Sequence, residues 1–418
     1  MKLNRRDWLR CSLFGSLVAL PCGRLAFGAE HKPPKTLLLI SGWQDINIGD
    51  ITHTTGLLRI LETRLPETKI ILWKSKPDNS PQGMVLKMIG KYFPNVEVIL
   101  GNVSRDDFSF SGNDVLRAVE RADVFVHGSG PSVVRWDALA AWSQATTKPF
   151  GIFGTTIQNI TPDLKKVLEK AAFIYTRETT SLDVLAKNGI AREHQMFVPD
   201  ATFALHTRDD SAGDAFLKER RLEDRKFLCV IPRLRWTPHP GRLEREPEKH
   251  ETNEEHKEID HAKAREAIIA WVETTKLPVL VCPEMTYQVD IMDELLIDPL
   301  PDSIRPFVQK RGYWMPDEAA SLYARAHTVI SFECHSPIIA TAMGTPTFHL
   351  RQPEDTIKGQ MYYDLGMDDW VFEIEQTTGK QIADRLLEVV ADYPAALEKV
   401  KRVNTLTSTI YDKATLLI

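Results

Sequence analysis

His335 is the residue of this sequence whose type and position best suit proton transfer. A predicted strand ends near Phe332 and a predicted helix begins near Pro337, so the histidine lies at a strand-to-helix turn. An imidazole at such a turn can face a cleft and donate a proton. The helix N-terminus beside it also favours an anionic ligand. A histidine that only caps the helix or packs against the turn is the alternative.

A second candidate segment follows the first predicted strand and opens the first predicted helix, with the sequence SGWQDINIGDITHTTG at positions 41–56. Ligands bind at the carboxyl ends of the strands in a doubly wound sheet. Glycine at that edge lets the backbone approach a ligand closely. We therefore predict that Asn47, Gly49 and Asp50 face a ligand, although a plain capping turn with Asp50 as the N-cap explains the segment equally well.

Other small and polar residues also follow predicted strands. Gly128, Ser129 and Gly130 come directly after the apolar run DVFVH, and Thr155, Thr156 and Asp200 occupy equivalent positions after later strands. Because the carboxyl ends of parallel strands meet at one edge of a sheet, these residues predict a lined cleft. They do not specify its ligand.

Several familiar motifs are missing from the sequence. It contains no GxGxxG fingerprint, no Walker motif, no HExxH and no CxxC. His250, His256 and His261 lie in a charged tract at 241–261, which we predict to be a surface loop or lid rather than a metal site. We therefore predict neither a cofactor nor a metal.

The elements that must position these residues follow from the hydrophobic pattern. Short apolar runs alternate with longer amphipathic runs, which predicts α/β folding with parallel, doubly wound sheets. The pattern extends from the run at 35–41 to that at 195–198 and starts again at 226–232. We predict two Rossmann-like domains, 29–210 and 211–375, that face a cleft, followed by C-terminal helices within 376–418.

The first 28 residues have the pattern of an export signal. A basic head precedes the short apolar run CSLFGSLVALPC and the small residues that end at Gly28. The run NRRDWLR at 4–10 resembles a twin-arginine signal. This predicts an exported protein of the periplasm or cell envelope that uses the twin-arginine export machinery. An uncleaved signal that holds the chain at the inner membrane is the alternative.

Composition excludes two broad classes of protein. The 418 residues carry a net charge of −5, and the pI is near 6.2, which argues against a nucleic-acid binder. No internal stretch approaches 18 apolar residues without charges, so we predict no transmembrane span in the mature chain.

Taken together, the sequence resembles the polysaccharide pyruvyl transferase family, which is itself similar to the two-domain GT-B glycosyltransferases. The resemblance covers about residues 36–370 and depends on the order of several short motifs. These are Asn47-Ile48-Gly49-Asp50, the strand and glycine turn at 124–130, Arg177-Glu178 with Ser181 and Gly189, Val198-Pro199-Asp200, His335 with Gly344-Thr345-Pro346, and Lys358-Gly359.

The resemblance implies a GT-B-like fold and a transferase that moves an enolpyruvyl unit from phosphoenolpyruvate to a sugar of a polysaccharide or glycolipid. It assigns the general acid to His335 and anion binding to Arg177. We predict Lys358 and Arg233, which lies on the loop after the predicted strand at 227–232, as further anion contacts. A general acid must protonate the methylene carbon, and cations must hold carboxylate and phosphate. Family members commonly carry arginine two residues before the histidine, where this chain has Glu333.

Three hypotheses therefore remain open from the sequence. The chain is a pyruvyl transferase for a surface or secreted polysaccharide, an exported relative with other glycan chemistry, or a non-catalytic glycan-binding protein. Aromatic side chains in the cleft would suit sugar stacking under any of them, although such residues are more often in the core. The candidates are Trp136, Trp142, Trp236, Tyr287 and Trp314.

Overall fold

The computed structural model describes residues 33–191, 193–239 and 245–418. The predicted export signal, residues 1–28, lies outside the described residues, as does the predicted cleavage point. Within those ranges, no helix has both the length and the apolar character that a membrane span requires.

The first half of the chain forms a seven-stranded sheet in which every strand pair is parallel. The strand order is β3-β2-β1-β6-β7-β8-β9. The strands are β1 (Thr36–Ile40), β2 (Lys69–Lys74), β3 (Glu97–Leu100), β6 (Val124–His127), β7 (Phe150–Thr155), β8 (Phe173–Thr176) and β9 (Gln195–Phe197). A two-stranded antiparallel ribbon, β4 (Asn102–Val103) with β5 (Phe110–Ser111), follows β3.

The second half forms a six-stranded sheet, also entirely parallel, in the order β12-β11-β10-β13-β14-β15. Its strands are β10 (Leu228–Ile231), β11 (Val279–Val281), β12 (Val308–Lys310), β13 (Thr328–Ser331), β14 (Thr347–Arg351) and β15 (Val371–Glu373). The prediction of two doubly wound parallel sheets is confirmed. The predicted boundaries at 210/211 and 375/376 stay predictions.

Helices connect the strands and cover the sheets. In the first half they are α1 (Ile48–Arg64), α2 (Met84–Tyr92), α3 (Asn113–Arg121), α4 (Trp136–Ala145), α5 (Pro162–Leu168), α6 (Thr179–Lys187) and α7 (Asp210–Arg220). In the second half they are α8 (Pro247–Thr275), α9 (Gln288–Met292), α10 (Pro316–Tyr323), α11 (His335–Ala342), α12 (Gln360–Asp364), α13 (Gly379–Ala391) and α14 (Tyr393–Thr415).

Strand β1 shows why these apolar runs become central strands. Leu37 and Leu39 pack into one hydrophobic cluster, whereas Leu38 and Ile40 pack into another. Side chains alternate along a strand, so the two clusters lie on opposite faces of the sheet. A strand that is buried on both faces must be apolar at every position, and this is why the run TLLLI is continuous rather than alternating.

The charged tract at 241–261 is largely helical, so the prediction of a surface loop or lid was wrong. From Pro247 onward the tract belongs to the 29-residue helix α8. Proline suits the first helical turn, and ion pairs such as Lys257 with Glu254 support the exposed face. The opposite face buries Asp260 and His261. The buried face contains polar groups, so the sequence lacks the apolar periodicity that would have predicted a helix.

Each sheet reverses its direction of growth at one point, where ligands bind in open α/β sheets. In the first sheet this point lies between β1 and β6, and in the second it lies between β10 and β13. The segment after β1 meets the segment after β11, the strand beside β10 in the second sheet. The Ile48 backbone N–H donates to the Glu284 carbonyl over 3.0 Å, and Asn47 forms an isolated antiparallel bridge with Met285.

Candidate functional site

His335 is the first residue of helix α11 and is 8% exposed. Its Nδ1 lies 3.1 Å from Oε1 of Glu284, and its Nε2 lies 2.9 Å from Nε2 of His53. Burial alone would lower the pKa of His335, but contacts with Cys334 and with the Glu284 carboxylate outweigh it and raise the pKa well above its usual range. The imidazole therefore favours its protonated form and faces the point where the two sheets meet.

Glu284 orients the ring of His335 through Nδ1, the ring nitrogen that does not contact His53. It follows β11, and its Oε2 accepts hydrogen bonds from the backbone N–H of Ser336 over 2.6 Å and from the Ser336 hydroxyl over 2.8 Å. These bonds place a carboxylate at the start of α11, where the helix dipole favours negative charge. Glu284 also holds the histidine ring by its Nδ1, which leaves Nε2 facing Nε2 of His53.

His53 comes from helix α1 and is fully buried. Its Nε2 lies 3.1 Å from Oδ2 of Asp200 as well as 2.9 Å from His335. Its Nδ1 lies 3.7 Å from Oδ1 of Asp50, one turn earlier on the same helix. Burial is the main cause that raises the pKa of Asp50, against the charges of His53 and His335.

Gly49 lets His335 come this close to helix α1. A Cβ atom at position 49 would lie 2.1 Å from Nδ1 of His335, so any larger residue would displace the ring. Asn47 is the N-cap of α1, and its side chain accepts hydrogen bonds from the backbone N–H groups of Gly49 over 2.7 Å and Asp50 over 3.4 Å. The alternative in which Asp50 caps the helix is therefore wrong, because Asp50 lies in its first turn.

Arg177 and Asp200 form a buried ion pair beside His53. Nη1 of Arg177 donates to Oδ2 of Asp200 over 2.8 Å, and its Nε donates to the Thr156 hydroxyl over 2.7 Å. Burial alone would raise the pKa of Asp200, but the charges of His53 and Arg177 hold it well below its usual range. Arg177 is only 1% exposed, so an anion can reach it only by displacing Asp200.

A second cluster of charges surrounds Arg233, which follows β10. Nη1 of Arg233 donates to Oδ1 of Asp355 over 2.6 Å, and Nζ of Lys358 lies 2.9 Å from the same oxygen. Nε of Arg233 lies 3.4 Å from Oε2 of Glu333, whose other oxygen accepts a 2.7 Å hydrogen bond from Gln288. Burial raises the pKa of Glu333 to about 7, against the opposing charge of Arg233. Both predicted anion contacts in this half are thus already paired with carboxylates.

The turn after β6, residues 128–130, packs against neighbouring loops of the first half. Ser129 is fully buried; its hydroxyl donates to the Phe153 carbonyl over 3.3 Å and accepts from the Ala201 backbone N–H over 3.1 Å. A Cβ at Gly128 would lie 2.7 Å from the Ser41 hydroxyl, and one at Gly130 would lie 2.5 Å from Trp43. The two glycines therefore allow close packing of neighbouring loops.

An open pocket of about 730 Å³ lies at the carboxyl ends of β1, β2 and β6. Its wall contains the indole of Trp43, which stacks on His127 with a ring separation of 4.8 Å. Its polar lining includes Lys76 and the ion-paired residues Asp45 with Lys74 and Arg135 with Asp137. An aromatic face beside charged hydrogen-bonding groups is a surface suited to a sugar.

Sequence reasoning missed three features of the site: His53, Glu284 and the aromatic wall formed by Trp43. Trp142 and Trp314, by contrast, are buried in hydrophobic clusters. A local signal for His53 was present, because the run DITHTT puts five polar residues at the start of the helix that follows the first strand. Glu284 follows β11 after Cys282 and Pro283, so the rule applied to the other strand ends would have found it.

Comparison with known proteins gives one family and a consistent fold. A family model described as polysaccharide pyruvyl transferase matches residues 47–352, more than half of the chain. No curated protein sequence gives a significant match.

Two solved structures illustrate the similarity of fold. HepE from Anabaena in complex with UDP-glucose is 13% identical, with a TM-score of 0.55 over 91% of this chain and 96% of that one. The UDP-GlcNAc 2-epimerase of Methanocaldococcus jannaschii is 13% identical, with a TM-score of 0.54 over 85% of this chain and 92% of that one. These values show a GT-B-like fold.

Proposed function

Because the chain belongs to the polysaccharide pyruvyl transferase family, we propose that it transfers a pyruvyl unit from phosphoenolpyruvate to sugar hydroxyls of a surface or secreted polysaccharide. The observation that carries the proposal is the position of His335. It is buried at the switch point of the second sheet, with a carboxylate on Nδ1 and a raised pKa. A general acid of this reaction needs those properties at that place.

The chemistry assigns one task to His335. Its Nε2 proton passes to the methylene carbon of phosphoenolpyruvate, which becomes a methyl group while C2 becomes electrophilic. A sugar hydroxyl oxygen bonds to C2 and its proton returns to Nε2 of His335, and the C2–O bond to phosphate breaks, with the electron pair leaving on phosphate. A second hydroxyl of the same sugar adds to C2 in place of phosphate, its proton passes to the released phosphate, and the ketal closes. Glu284 stabilises the imidazolium before transfer.

Arg233 and Lys358 are the cations best placed to hold the donor. They share Oδ1 of Asp355, so the carboxylate or phosphate of phosphoenolpyruvate would compete with that oxygen. Planar guanidinium suits bidentate contact with such groups. Arg177 acts more indirectly, because it is held by Asp200 and keeps that carboxylate beside His53.

The pocket beside Trp43 is our candidate for the acceptor sugar. It begins at Gly42 and includes Asp45, two positions before the N-cap Asn47 and four before Gly49, which touches His335. The loop after β1 therefore joins a sugar-sized pocket to the proposed acid. Binding energy in such a pocket positions the hydroxyls at C2 of the donor.

A second candidate is favoured by Glu333. Its carboxylate lies 3.4 Å from Nε of Arg233, at the position where arginine is common in the family, and negative charge there repels an anionic donor. This observation favours an exported relative that performs glycan chemistry with a different donor. The third possibility, a glycan-binding protein without turnover, predicts that loss of His335 leaves glycan binding intact and removes no reaction.

Calorimetric titration of the purified chain with phosphoenolpyruvate tests the donor directly. We expect saturable binding that weakens in Lys358→Ala, and phosphate release with a polysaccharide acceptor that is lost in His335→Asn. The variant His327→Asn is the matched control, because it removes a buried imidazole from the opposite end of β13. Absence of binding at millimolar phosphoenolpyruvate in a folded chain would reject this donor and favour the second candidate.

A further inference from the structure

Three buried side chains from distant parts of the sequence direct ligand atoms at one point. Nε2 of His53 lies 2.9 Å from Nε2 of His335 and 3.1 Å from Oδ2 of Asp200. The donor atoms of all three residues lie within 4.8 Å of one another. We propose that His53, His335 and Asp200 bind one first-row transition-metal dication, such as Zn²⁺, where the two sheets meet.

When both rings are neutral, their hydrogen bonds leave acceptor atoms facing the point where His53, His335 and Asp200 converge, as a cation requires. Nδ1 of His335 faces the carboxylate of Glu284, which accepts hydrogen bonds, so a neutral ring carries its proton there and presents a lone pair at Nε2. Nδ1 of His53 is buried without a hydrogen-bond partner, and Oδ1 of Asp50 lies 3.7 Å away. These contacts constrain where the proton of His53 can reside.

While His335 is neutral, neither neutral tautomer of His53 satisfies the cluster. A proton on Nε2 leaves a buried lone pair at Nδ1 facing the carboxylate of Asp50. A proton on Nδ1 leaves three lone pairs, from His53, His335 and Asp200, facing one another. Buried polar atoms in such an arrangement are costly unless they are compensated. A metal ion on Nε2 removes the conflict, because Nδ1–H of each histidine then faces a carboxylate.

The local charge also favours a dication. Asp50, Asp200 and Glu284 each face one of the two imidazoles, and among the described residues Arg177 is the guanidinium bonded to them. With both histidines neutral, three carboxylates and one guanidinium leave two negative charges in a buried site, and with His335 protonated they still leave one. Buried charge that is neither paired nor bound to a metal is strongly disfavoured.

The ligand types and spacing identify the class of metal. Two imidazoles and one carboxylate suit zinc, cobalt or iron rather than magnesium or calcium, which prefer oxygen. Donors at about 2.0–2.1 Å from a tetrahedral zinc ion lie about 3.3 Å apart, close to the 2.9 and 3.1 Å seen here. Glu284 behind His335 is the outer carboxylate that commonly orients a metal-bound histidine. Three protein ligands leave further positions for water or a substrate oxygen.

Metal binding and the acid role of His335 exclude each other, because Nε2 holds either a proton or a metal ion. Metal binding by these three residues does not require phosphoenolpyruvate as donor. The metal-loaded chain is simply a form in which His335 has no proton to give at Nε2. Metal binding and pyruvyl transfer are measured separately, so failure of one does not imply failure of the other.

Titration of the chelator-treated full chain with Co²⁺ tests the site. We expect one Co²⁺ per chain with the visible d–d absorption of a low-coordinate nitrogen and oxygen site, and displacement by Zn²⁺. The variants His53→Gln and His335→Gln should each weaken binding by about 100-fold or more. Glu284→Gln should weaken it by about 10–100-fold, the usual effect of losing an outer carboxylate.

The control is His327→Asn, which should bind Co²⁺ like the unaltered chain. His327 is buried, stacks on Tyr393 and lies one residue before β13, at the end opposite to His335. Failure of folded wild-type protein to bind Co²⁺ or Zn²⁺ at micromolar concentration would overturn the proposal. Equal Co²⁺ affinity in His335→Gln and His327→Asn would also overturn the proposal. This comparison tests the site even if His53→Gln fails to fold.

Discussion

Nε2 of His53 lies 2.9 Å from Nε2 of His335, although 282 positions separate the two residues in the sequence. The contact joins helix α1 to helix α11. Helix α1 follows β1 of the first sheet, and helix α11 follows β13 of the second sheet. Each half of the chain supplies one imidazole. Neither half contains the site by itself, so any change in how the halves meet alters the chemistry at both rings.

Replacing Gly49 with alanine should displace the imidazole ring of His335. The added Cβ would lie 2.1 Å from Nδ1 of His335, so either the ring or helix α1 must move. We expect a loss of stability of about 1–3 kcal/mol, together with loss of Co²⁺ binding or turnover. Denaturant unfolding and Co²⁺ titration on the same preparation measure both effects.

Gly90 provides the matched control for this substitution. It also lies in a helix, α2, but a Cβ there meets nothing within 4 Å. Alanine at position 90 should therefore stabilise the chain by about 0.5–1 kcal/mol through helix propensity and leave the site unchanged. Equal effects of the two substitutions would contradict the close contact between Gly49 and His335.

Replacing Asp200 with asparagine should destabilise the chain by about 3–5 kcal/mol, because it leaves Arg177 buried without its main carboxylate partner. The cap formed by Oδ1 of Asp200 on the Thr202 backbone N–H survives in asparagine. The loss is therefore attributable to charge. Combining this change with Arg177→Met should recover part of the stability in urea unfolding.

An exposed ion pair gives the comparison for Asp200. Asp412 bonds to Arg64 over 2.8 Å, but its side chain is 66% exposed. Asp412→Asn should change the free energy of unfolding by no more than about 1 kcal/mol. Similar losses for Asp200→Asn and Asp412→Asn would show that burial of the Arg177 pair has no energetic consequence.

Glu178 should make the stability of the chain fall as the pH rises towards neutrality. Burial raises its pKa to about 7, against the favourable charge of Arg177 and hydrogen bonds from Ser181 and Thr156. The folded state therefore holds this proton more tightly than the unfolded state. Its stabilising contribution is complete below the ordinary glutamate pKa of about 4.3 and is lost as the pH rises to about 7.

The variant Glu178→Gln should remove that part of the pH dependence. Comparing free energies of unfolding between pH 4 and pH 8 (about the range of the titration) should show a flatter curve than for the unaltered chain. The exposed variant Glu169→Gln should follow the unaltered chain. A slope in Glu178→Gln equal to that of the unaltered chain would assign the pH dependence to other groups.

Replacing Glu333 with glutamine should strengthen phosphoenolpyruvate binding by about tenfold, equivalent to about 1.4 kcal/mol. The change removes a negative charge 3.4 Å from Nε of Arg233 and keeps an oxygen that can accept from Gln288. Calorimetry at constant ionic strength measures it. Glu318→Gln, which removes the partner of Arg311 instead, should have no effect. Weaker or unchanged binding in Glu333→Gln would count against Arg233 as a donor contact.

The fold was predictable because its signals are local. The runs TLLLI at β1 and LCVI at β10 are continuous apolar segments, which is what a strand buried on both faces requires. The long helix α8 was not predictable in the same way. Its charged positions 250–258 are supported by ion pairs, and its buried face contains Asp260 and His261 rather than a stripe of leucines.

The site was only partly predictable, for a related reason. His335 and Gly49 stand out because each lies at the junction of a strand and a helix, where local sequence indicates an exposed edge. His53 stands out less: the polar run DITHTT marks its position, but its role comes from a contact 282 positions away. The pairing of Arg233 and Lys358 with Asp355 was equally hidden, since ion pairs between loops depend on tertiary packing.

Helix α14 has a consequence for how the protein is made. It belongs to the second half in sequence, yet the Tyr411 hydroxyl donates to the Asp200 carbonyl over 2.6 Å, and the Tyr175 hydroxyl donates to the Ala414 carbonyl over 3.1 Å. A ribosome must therefore synthesise residues through 414 before the loop that holds Asp200 gains its last partners. The first sheet can form during translation, but the surroundings of Asp200 are completed only after Ala414 has been translated.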